Sequence, residues 1–304
     1  MKKLLITHTD LDGISPILLL KLTGEKFDFK TGEPSEIEGI FEELKPTLEK
    51  YDQIYFTDLT VPMSVYEYIN ENNLNVLVFD HHGTHKDFAD EFEYTTIEVE
   101  LNGRKTCGTE LFYEYLKGIY PTLKTKKIKE YVELVRQLDT YTFESDIPKK
   151  LENIRTVYGR DEFLKVMKRR LLSKKENFEF NAFEKKFIKL KEQEIENYLA
   201  KKNEQLKKYE INNQVVGVVF CEKYKSELGN YLCEQHPEIA FVIMIDTCKA
   251  ISYRGVGDAD VATFATIYGG GGHKLASGSP FNDEMRDKIV KDYFKGAKLI
   301  IDEE

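Results

Sequence analysis

Short apolar runs that end in acidic residues or histidines set the pattern of the first half of the chain. Lys3-Leu-Leu-Ile-Thr7, Ile54-Tyr-Phe-Thr57 and Asn75-Val-Leu-Val-Phe79 each read as a strand. The first runs into His8-Thr-Asp10-Leu-Asp12-Gly13. An apolar helix start follows over 14–22, with Ser15 as its cap and Pro16 tolerated in its first turn. The second ends at Asp58 and the third at Asp80-His81-His82-Gly83. The last two lie roughly one βαβ repeat apart, which suits a parallel sheet. Open α/β sheets bind ligands at the C-terminal ends of their strands. A lone Asp there is usually a cap or turn residue, and Asp58 gains weight only from its company.

Helical periodicity follows. Residues 106–116 form an amphipathic pattern with Gly108 and Thr109 near its start, where free N–H groups could support a phosphate or simply be capped. Over 126–138, Ile128, Tyr131, Val132, Val135 and Leu138 share one face, and the pattern ends at Asp139. From 151 to 208 the chain is charged and helical, almost without Pro or Gly after Gly159. It reads as a connector, with a coiled-coil pairing into a homodimer left open. A second α/β pattern begins near Asn212: strands over 215–220, 239–245 and 249–254, and helices over 227–234, 259–267 and 283–298. Between the last two helices lies Tyr268-Gly-Gly-Gly-Gly-His273-Lys-Leu-Ala276-Ser-Gly278. Consecutive glycines cost about 0.5–1 kcal/mol each relative to Ala. Set tightly between an apolar helix and a turn, they fit backbone N–H groups brought close to a phosphate, with His273 as a donor, better than a linker. The predicted organisation is α/β: a catalytic domain over 1–150 with a mainly parallel sheet flanked by helices, a helical connector over 151–211, and a smaller α/β substrate-binding domain over 212–304.

Composition narrows the function. The 304 residues suffice for two domains. No stretch approaches the roughly 18 apolar residues of a membrane span. The Met-Lys-Lys start imitates a signal peptide, but its apolar segment is far too short. Cys107, Cys221, Cys233 and Cys248 are scattered without zinc-like spacing, which suggests reduced thiols and a cytoplasmic protein. Net charge is −9, and the basic stretch over 165–208 is diluted by Glu, so it reads as a solvated helical surface. Composition therefore points away from long duplexes and leaves small phosphorylated substrates open.

The candidate chemistry resides in His8, Asp10, Asp12, Asp58, Asp80, His81, His82 and Asp139. A calcium loop competes for the first cluster, but the closing Glu of an EF-hand is absent. Oxygen donors dominate and no thiolate takes part, so Mn²⁺ or Mg²⁺ fits better than structural zinc. So many carboxylates in one cleft cannot all stay ionised without cations. Two divalent metals resolve the repulsion, and a metal pair is suited to activating water and stabilising a leaving oxygen in phosphoryl transfer. The inference is metal-dependent phosphoester or phosphoanhydride hydrolysis.

On these residues the chain resembles the DHH/DHHA1 phosphoesterases over nearly its whole length. His8-Thr-Asp-Leu-Asp-Gly13 is similar to the family's first motif, Asp58 to the second, Asp80-His81-His82 to the third and Asp139 to the fourth. Gly270-Gly271-Gly272-His273 with Ala276-Ser-Gly278 resembles the DHHA1 signature, and Ser252-Tyr-Arg254 its substrate-binding arginine motif. Within the family, the Asp-Leu-Asp-Gly start and Glu133-Leu-Val-Arg-Gln-Leu-Asp139 are most like the nanoRNase B-type oligoribonucleases. The resemblance implies that His8, Asp10 and Asp58 hold one metal. Asp12, Asp58, His81 and Asp139 would hold the other, with Asp58 bridging. It implies that Asp80 ligates or orients, and that His82 contacts the scissile phosphate. Arg254, Gly270, Gly271, Gly272 and His273 would hold the nucleotide from the second domain across an interdomain cleft. The implied activity is an exonuclease cutting short oligoribonucleotides to mononucleotides. The alternative is a phosphodiesterase or phosphatase for linear or cyclic dinucleotides or 3′-phosphoadenosine phosphate. A scaffold with a dead site is disfavoured because every expected ligand is present. A pyrophosphatase of the superfamily is disfavoured because its C-terminal domain lacks the Gly-Gly-Gly-His pattern.

Overall fold

A computed structural model describes residues 2–83, 86–175, 178–248, 250–295 and 297. The chain divides into two compact units, Met1–Ile188 and Lys189–Glu304. The first is built on five parallel strands in the order β2-β1-β3-β4-β5: β1 Lys3–Thr7, β2 Phe27–Thr31, β3 Gln53–Thr57, β4 Val76–Asp80 and β5 Thr95–Ile97. The helices are α1 Leu11–Thr23, α2 Ile37–Leu44, α3 Met63–Glu71 and the short α4 Asp87–Glu91. A small hairpin of β6 Glu100–Leu101 and β7 Arg104–Lys105 leads into α5 Gly108–Ile119, α6 Lys126–Asp139 and α7 Ile147–Leu171. The mainly parallel sheet flanked by helices is thus as the sequence predicts.

β1 and β3 are buried along their whole length, which is why they read as unbroken apolar runs. Lys3 within β1 is buried because its Nζ donates to Tyr120 Oη (2.6 Å) and lies 3.3 Å from Glu25. β2 is an edge strand whose exposure alternates, and its weak Phe-Asp-Phe-Lys-Thr pattern escaped sequence reading. One core lies where α1, α5, α6 and α7 meet the sheet, the other where α2 and α3 do.

Two local expectations change. The cap of α1 is Asp10, whose Oδ1 accepts the Gly13 N–H at 2.8 Å, while Ser15 Oγ donates to the Leu11 carbonyl (2.6 Å). Pro16 then falls inside the helix and leaves the Asp12 carbonyl without its i+4 donor. Thr109 Oγ1 supplies the replacement at 2.6 Å, tying the start of α1 to the start of α5. The stretch expected as a connector also behaves differently. Leu151, Ile154, Phe163, Leu164, Met167 and Leu171 of α7 are buried in the same core as α1. Gly159, at φ 67°, breaks the periodicity that would have revealed that face.

The boundary between the units falls within α8 (Ala182–Gln205). The second unit is a six-stranded mixed sheet in the order β12-β13-β11-β10-β9-β8. Its strands are β8 Lys207–Ile211, β9 Gln214–Phe220, β10 Phe241–Ile245, β11 Ala250–Gly255, β12 Gly271–His273 and β13 Ala276–Pro280. Only β9 and β10 pair in parallel. α9 (Lys225–Gln235) covers one apolar cluster and α10 (Val261–Thr266) another, and α11 (Asp283–Tyr293) follows. Lys249 and Lys298, at the edges of two predicted elements, lie outside the described residues. All four cysteines are free thiols, and no described helix is long and apolar enough to cross a membrane.

Candidate metal centre

In the strand order of the first unit, connections leave β1 and β3 toward opposite edges, so their C-terminal ends flank a topological switch point. Two threonines close the strands there. Thr57 Oγ1 donates to Thr7 Oγ1 (2.7 Å), which donates in turn to the Gly13 carbonyl (2.6 Å). Beyond them come His8 and Asp10 from the turn after β1, Asp12 from the first turn of α1, Asp58 from β3, Asp80, His81 and His82 from β4, and Asp139 from the end of α6.

Each buried carboxylate is fixed from behind. Asp12 Oδ2 accepts the Gly108 N–H (2.7 Å) and Oδ1 the Thr109 N–H (2.9 Å). The N-terminus of α5, expected as a possible phosphate support, is therefore taken by a protein carboxylate. Asp58 adopts a left-handed backbone (φ 55°), unusual for a residue with a side chain, and its N–H donates to the Phe79 carbonyl (2.9 Å). Gly108 makes room for it, since a Cβ at that position would stand 2.7 Å from Asp58 Cβ. Asp80 Oδ1 accepts the His81 N–H (2.9 Å) and lies 2.7 Å from His82 Nδ1. An ionised Asp80 only accepts, so it sets the Nδ1–H form of His82 and leaves Nε2 facing outward on a side chain that is 42% exposed.

The remaining contacts join ligand-type atoms to one another. His8 Nδ1 lies 3.2 Å from Asp10 Oδ2 and 3.7 Å from Asp58 Oδ2. His81 Nε2 lies 3.2 Å from Asp58 Oδ1, 3.6 Å from Asp139 Oδ2 and 3.8 Å from Asp12 Oδ2. Burial pulls both imidazoles down, but the surrounding carboxylates win. The adjacent Asp10 and Asp58 carboxylates carry His8 to about 11, and Asp58, Asp139 and Asp12 carry His81 to about 10. Burial and the Asp12 charge push Asp139 up to about 7, and burial with the Asp12 and Asp10 charges pushes Asp58 well up. Asp80 raises His82 in the same way. Protons thus do here what cations would do better.

The donor set fits divalent metals. Ligand atoms converge in three groups: His8, Asp10 and Asp58; Asp12, His81 and Asp139; and Asp58 with Asp80, His81 and His82. Within each, the atoms lie within 4.8 Å of one another. Among the described residues, Asp58 Oδ2 and Asp80 Oδ2 are buried without a hydrogen-bond partner, a costly state that a cation relieves. All eight candidates of the first unit therefore meet in one crevice. Glu33, beyond β2, also reaches it: its Oε2 lies 3.1 Å from His8 Nε2. The only signal for it in the sequence was an acidic residue after a weak edge strand.

In the second unit, Arg254, Ala276 and His273 stand in one row across β11, β13 and β12, on one sheet face. Two strand spacings put the two basic residues about 10 Å apart. The next row is Ser252, Gly278 and Gly271, so the floor between them is small-residued. Ser226 Oγ accepts Arg254 Nη2–H (2.9 Å), and Gly229 admits the Arg254 stem, since a Cβ there would stand 2.6 Å from Arg254 Cβ. The glycine run is partly a strand of a hairpin. A Cβ on Gly270 would meet the Gly278 carbonyl at 2.0 Å, and Gly272 has φ 138°, whereas a Cβ on Gly271 would meet nothing within 4 Å.

Comparison with known proteins agrees with this geometry. The chain is 32% identical, over 96% of its length and 76% of the relative's, to oligoribonuclease NrnB of Bacillus subtilis (strain 168). It is 23% identical to a 3′,5′-cyclic-nucleotide phosphodiesterase of Helicobacter pylori (strain ATCC 700392 / 26695), covering 94% and 96% of the two chains. Its fold matches the crystal structure of exonuclease RecJ bound to manganese with a TM-score of 0.57 at 14% identity, over 98% of this chain and 91% of that one. No family model matches. A parallel sheet ending in carboxylates and imidazoles, together with a relative this similar over nearly the whole chain, makes the protein a member of the DHH/DHHA1 phosphoesterases, in the family of NrnB. It is a metal-dependent phosphoric-ester hydrolase of the nuclease and phosphodiesterase kind.

Proposed function

We propose that this protein is a cytoplasmic exonuclease that hydrolyses short oligoribonucleotides to mononucleotides with two divalent cations, Mn²⁺ foremost and Mg²⁺ as a substitute. The observation that carries the two-cation reading is buried Asp58, whose Oδ2 lies 3.7 Å from His8 of one ligand group and whose Oδ1 lies 3.2 Å from His81 of the group that includes Asp12 and Asp139. His8, Asp10 and Asp58 would hold one cation, and Asp12, Asp58, His81 and Asp139 the other. A cation pair supplies an acidified water and charge neutralisation for the departing oxygen. Asp80 positions His82, whose Nε2 is left to hydrogen-bond the scissile phosphate. Arg254 and His273 bind a substrate phosphate by charge-assisted hydrogen bonds, and Gly270, Gly271 and Gly272 let it approach the sheet.

The substrate class rests on the similarity to NrnB and on electrostatics. The chain is acidic overall, and an extended polynucleotide needs a cationic track whose contribution grows with each phosphate neutralised. Kinetics with Mn²⁺ over labelled RNAs of about two to twenty-four nucleotides test this, with kcat/KM expected to fall with length and to depend little on salt. Equal or higher kcat/KM on the longest RNA would overturn it. The Helicobacter relative favours a second reading, hydrolysis of a cyclic phosphodiester. 3′,5′-Cyclic AMP, c-di-AMP, linear dinucleotides and 3′-phosphoadenosine phosphate in the same panel separate the two.

A further inference from the structure

The structure assigns Glu33 as a positioning residue that holds the metal ligand His8 in its ligating tautomer; this rests on the two-cation reading above. His8 has two faces. Nδ1 points to Asp10 and Asp58, and Nε2 lies 3.1 Å from Glu33 Oε2. A carboxylate can only accept, so the partner of Glu33 must carry its proton on Nε2. In the neutral ring, that leaves the lone pair on Nδ1, the atom that faces the other two ligands. Without Glu33 the ring would be free to carry its proton on Nδ1, the wrong side for a cation.

Glu33 is itself fixed, as an orienting group must be. Thr9 Oγ1 donates to its Oε1 (2.5 Å), and its backbone N–H donates to Glu36 Oε2 (2.8 Å). It belongs to none of the three ligand groups, so its place is behind the ligand and not on the cation. It also lies just beyond β2, the neighbour of β1 on the side away from Asp58, which brings a fourth strand end to bear on the centre. Carboxylates behind ligating histidines orient the ring and raise its basicity, and their loss typically costs about 10–100-fold in metal affinity.

Mn²⁺ titration followed by EPR on wild type, Glu33→Ala and Glu33→Gln tests the assignment, with thermal unfolding of each metal-free protein as the control for folding. Wild type is expected to take up two Mn²⁺ per chain. Glu33→Ala should weaken one of the two by about 10–100-fold and leave the other within about twofold. Glu33→Gln, which keeps an acceptor for Nε2–H, should recover most of that loss at an unchanged unfolding midpoint. Affinities in Glu33→Ala within about twofold of a two-site wild type, an equal weakening of both sites, or a Gln variant as impaired as Ala would each overturn the assignment alone. A wild-type protein that binds no Mn²⁺ would overturn the two-cation reading itself, and this one with it.

Discussion

The two units handle charge in opposite ways. In the first, carboxylates are driven together and buried: Asp12, Asp58 and Asp80 are each at most 3% exposed, and backbone N–H groups, a left-handed turn and Gly108 hold them there. In the second, two basic residues about 10 Å apart flank a floor of Ser, Gly and Ala on a sheet face where His273 is exposed. Concentrating like charge needs counter-ions, so the first site is incomplete as protein alone. The second has no comparable repulsion to relieve. The first should therefore fail all at once when altered, and the second by degrees.

The largest expected effect follows from Asp58→Asn. The change removes the charge shared by two ligand groups and keeps the shape of the side chain. Turnover of a dinucleotide should fall by more than about a thousandfold, with loss of Mn²⁺ at both sites. Kinetics and metal content on folded protein decide it. Near wild-type turnover would sink the two-cation reading.

Arg254→Ala and His273→Ala should behave differently in kind. In the role proposed for them, each change would remove a charge-assisted hydrogen bond worth about 1.5–3 kcal/mol, or roughly 10–150-fold in kcat/KM on oligonucleotides. Neither belongs to any of the three ligand groups, so isothermal titration should give wild-type affinity for Mn²⁺. Parallel loss of metal affinity and activity would show that these residues serve the structure instead.

The contrast also explains what could be read in advance. His8, Asp10, Asp12, Asp58, Asp80 and His81 were legible because parallel strands buried on both faces leave plain apolar runs and the chemistry sits just beyond them, and Asp139 because it ends a helical period. Glu33 was not, because edge strand β2 alternates and barely differs from a loop. Nor was the role of Thr109, which depends on Pro16 freeing a carbonyl nearly a hundred residues away. The buried face of α7 was masked by the kink at Gly159. Local patterns mark strand ends, while cages and edge pairings are set by tertiary contacts that no window of sequence contains.

A smaller effect concerns pH. In the metal-free protein His8 and His81 stand at about 11 and 10 against an ordinary 6.5, and Asp139 at about 7 against 3.8. The folded state therefore holds more protons than the unfolded chain, and stability falls as pH rises through these values. Asp10, lowered to about 2, acts in the opposite sense, but only at acid pH. The metal-free unfolding temperature should drop by several degrees between about pH 6 and about pH 9. Mn²⁺ replaces those protons, so the rise it produces should be larger at the alkaline end. A metal-free midpoint that climbs with pH would contradict the crowding of carboxylates inferred here.

The smallest change, Gly271→Ala, asks whether the second site is open for a ligand or merely glycine-rich for packing. A Cβ on Gly270 would overlap the Gly278 carbonyl at 2.0 Å, and one on Gly272 would lie 2.7 Å from Ser277 Cα at a φ of 138°, so the hairpin itself demands both glycines. Gly271 is under no such demand. Among the described residues nothing lies within 4 Å of where its Cβ would stand, and its φ is not in the left-handed region. Its methyl would stand on the face shared by Arg254 and His273. Replacing it should leave the unfolding temperature unchanged or slightly raised, because Ala has less chain entropy to lose than Gly. If a phosphate or nucleotide lies against that face, the same methyl should raise KM for a dinucleotide by a factor of about two to ten, equivalent to about 0.4–1.4 kcal/mol, and leave Mn²⁺ affinity untouched. Gly270→Ala serves as the contrasting variant, since it should lower the unfolding temperature whatever the ligand does. An unchanged KM in Gly271→Ala would mean that the substrate passes over this face without approaching the sheet, leaving Arg254 and His273 to act through their long side chains alone.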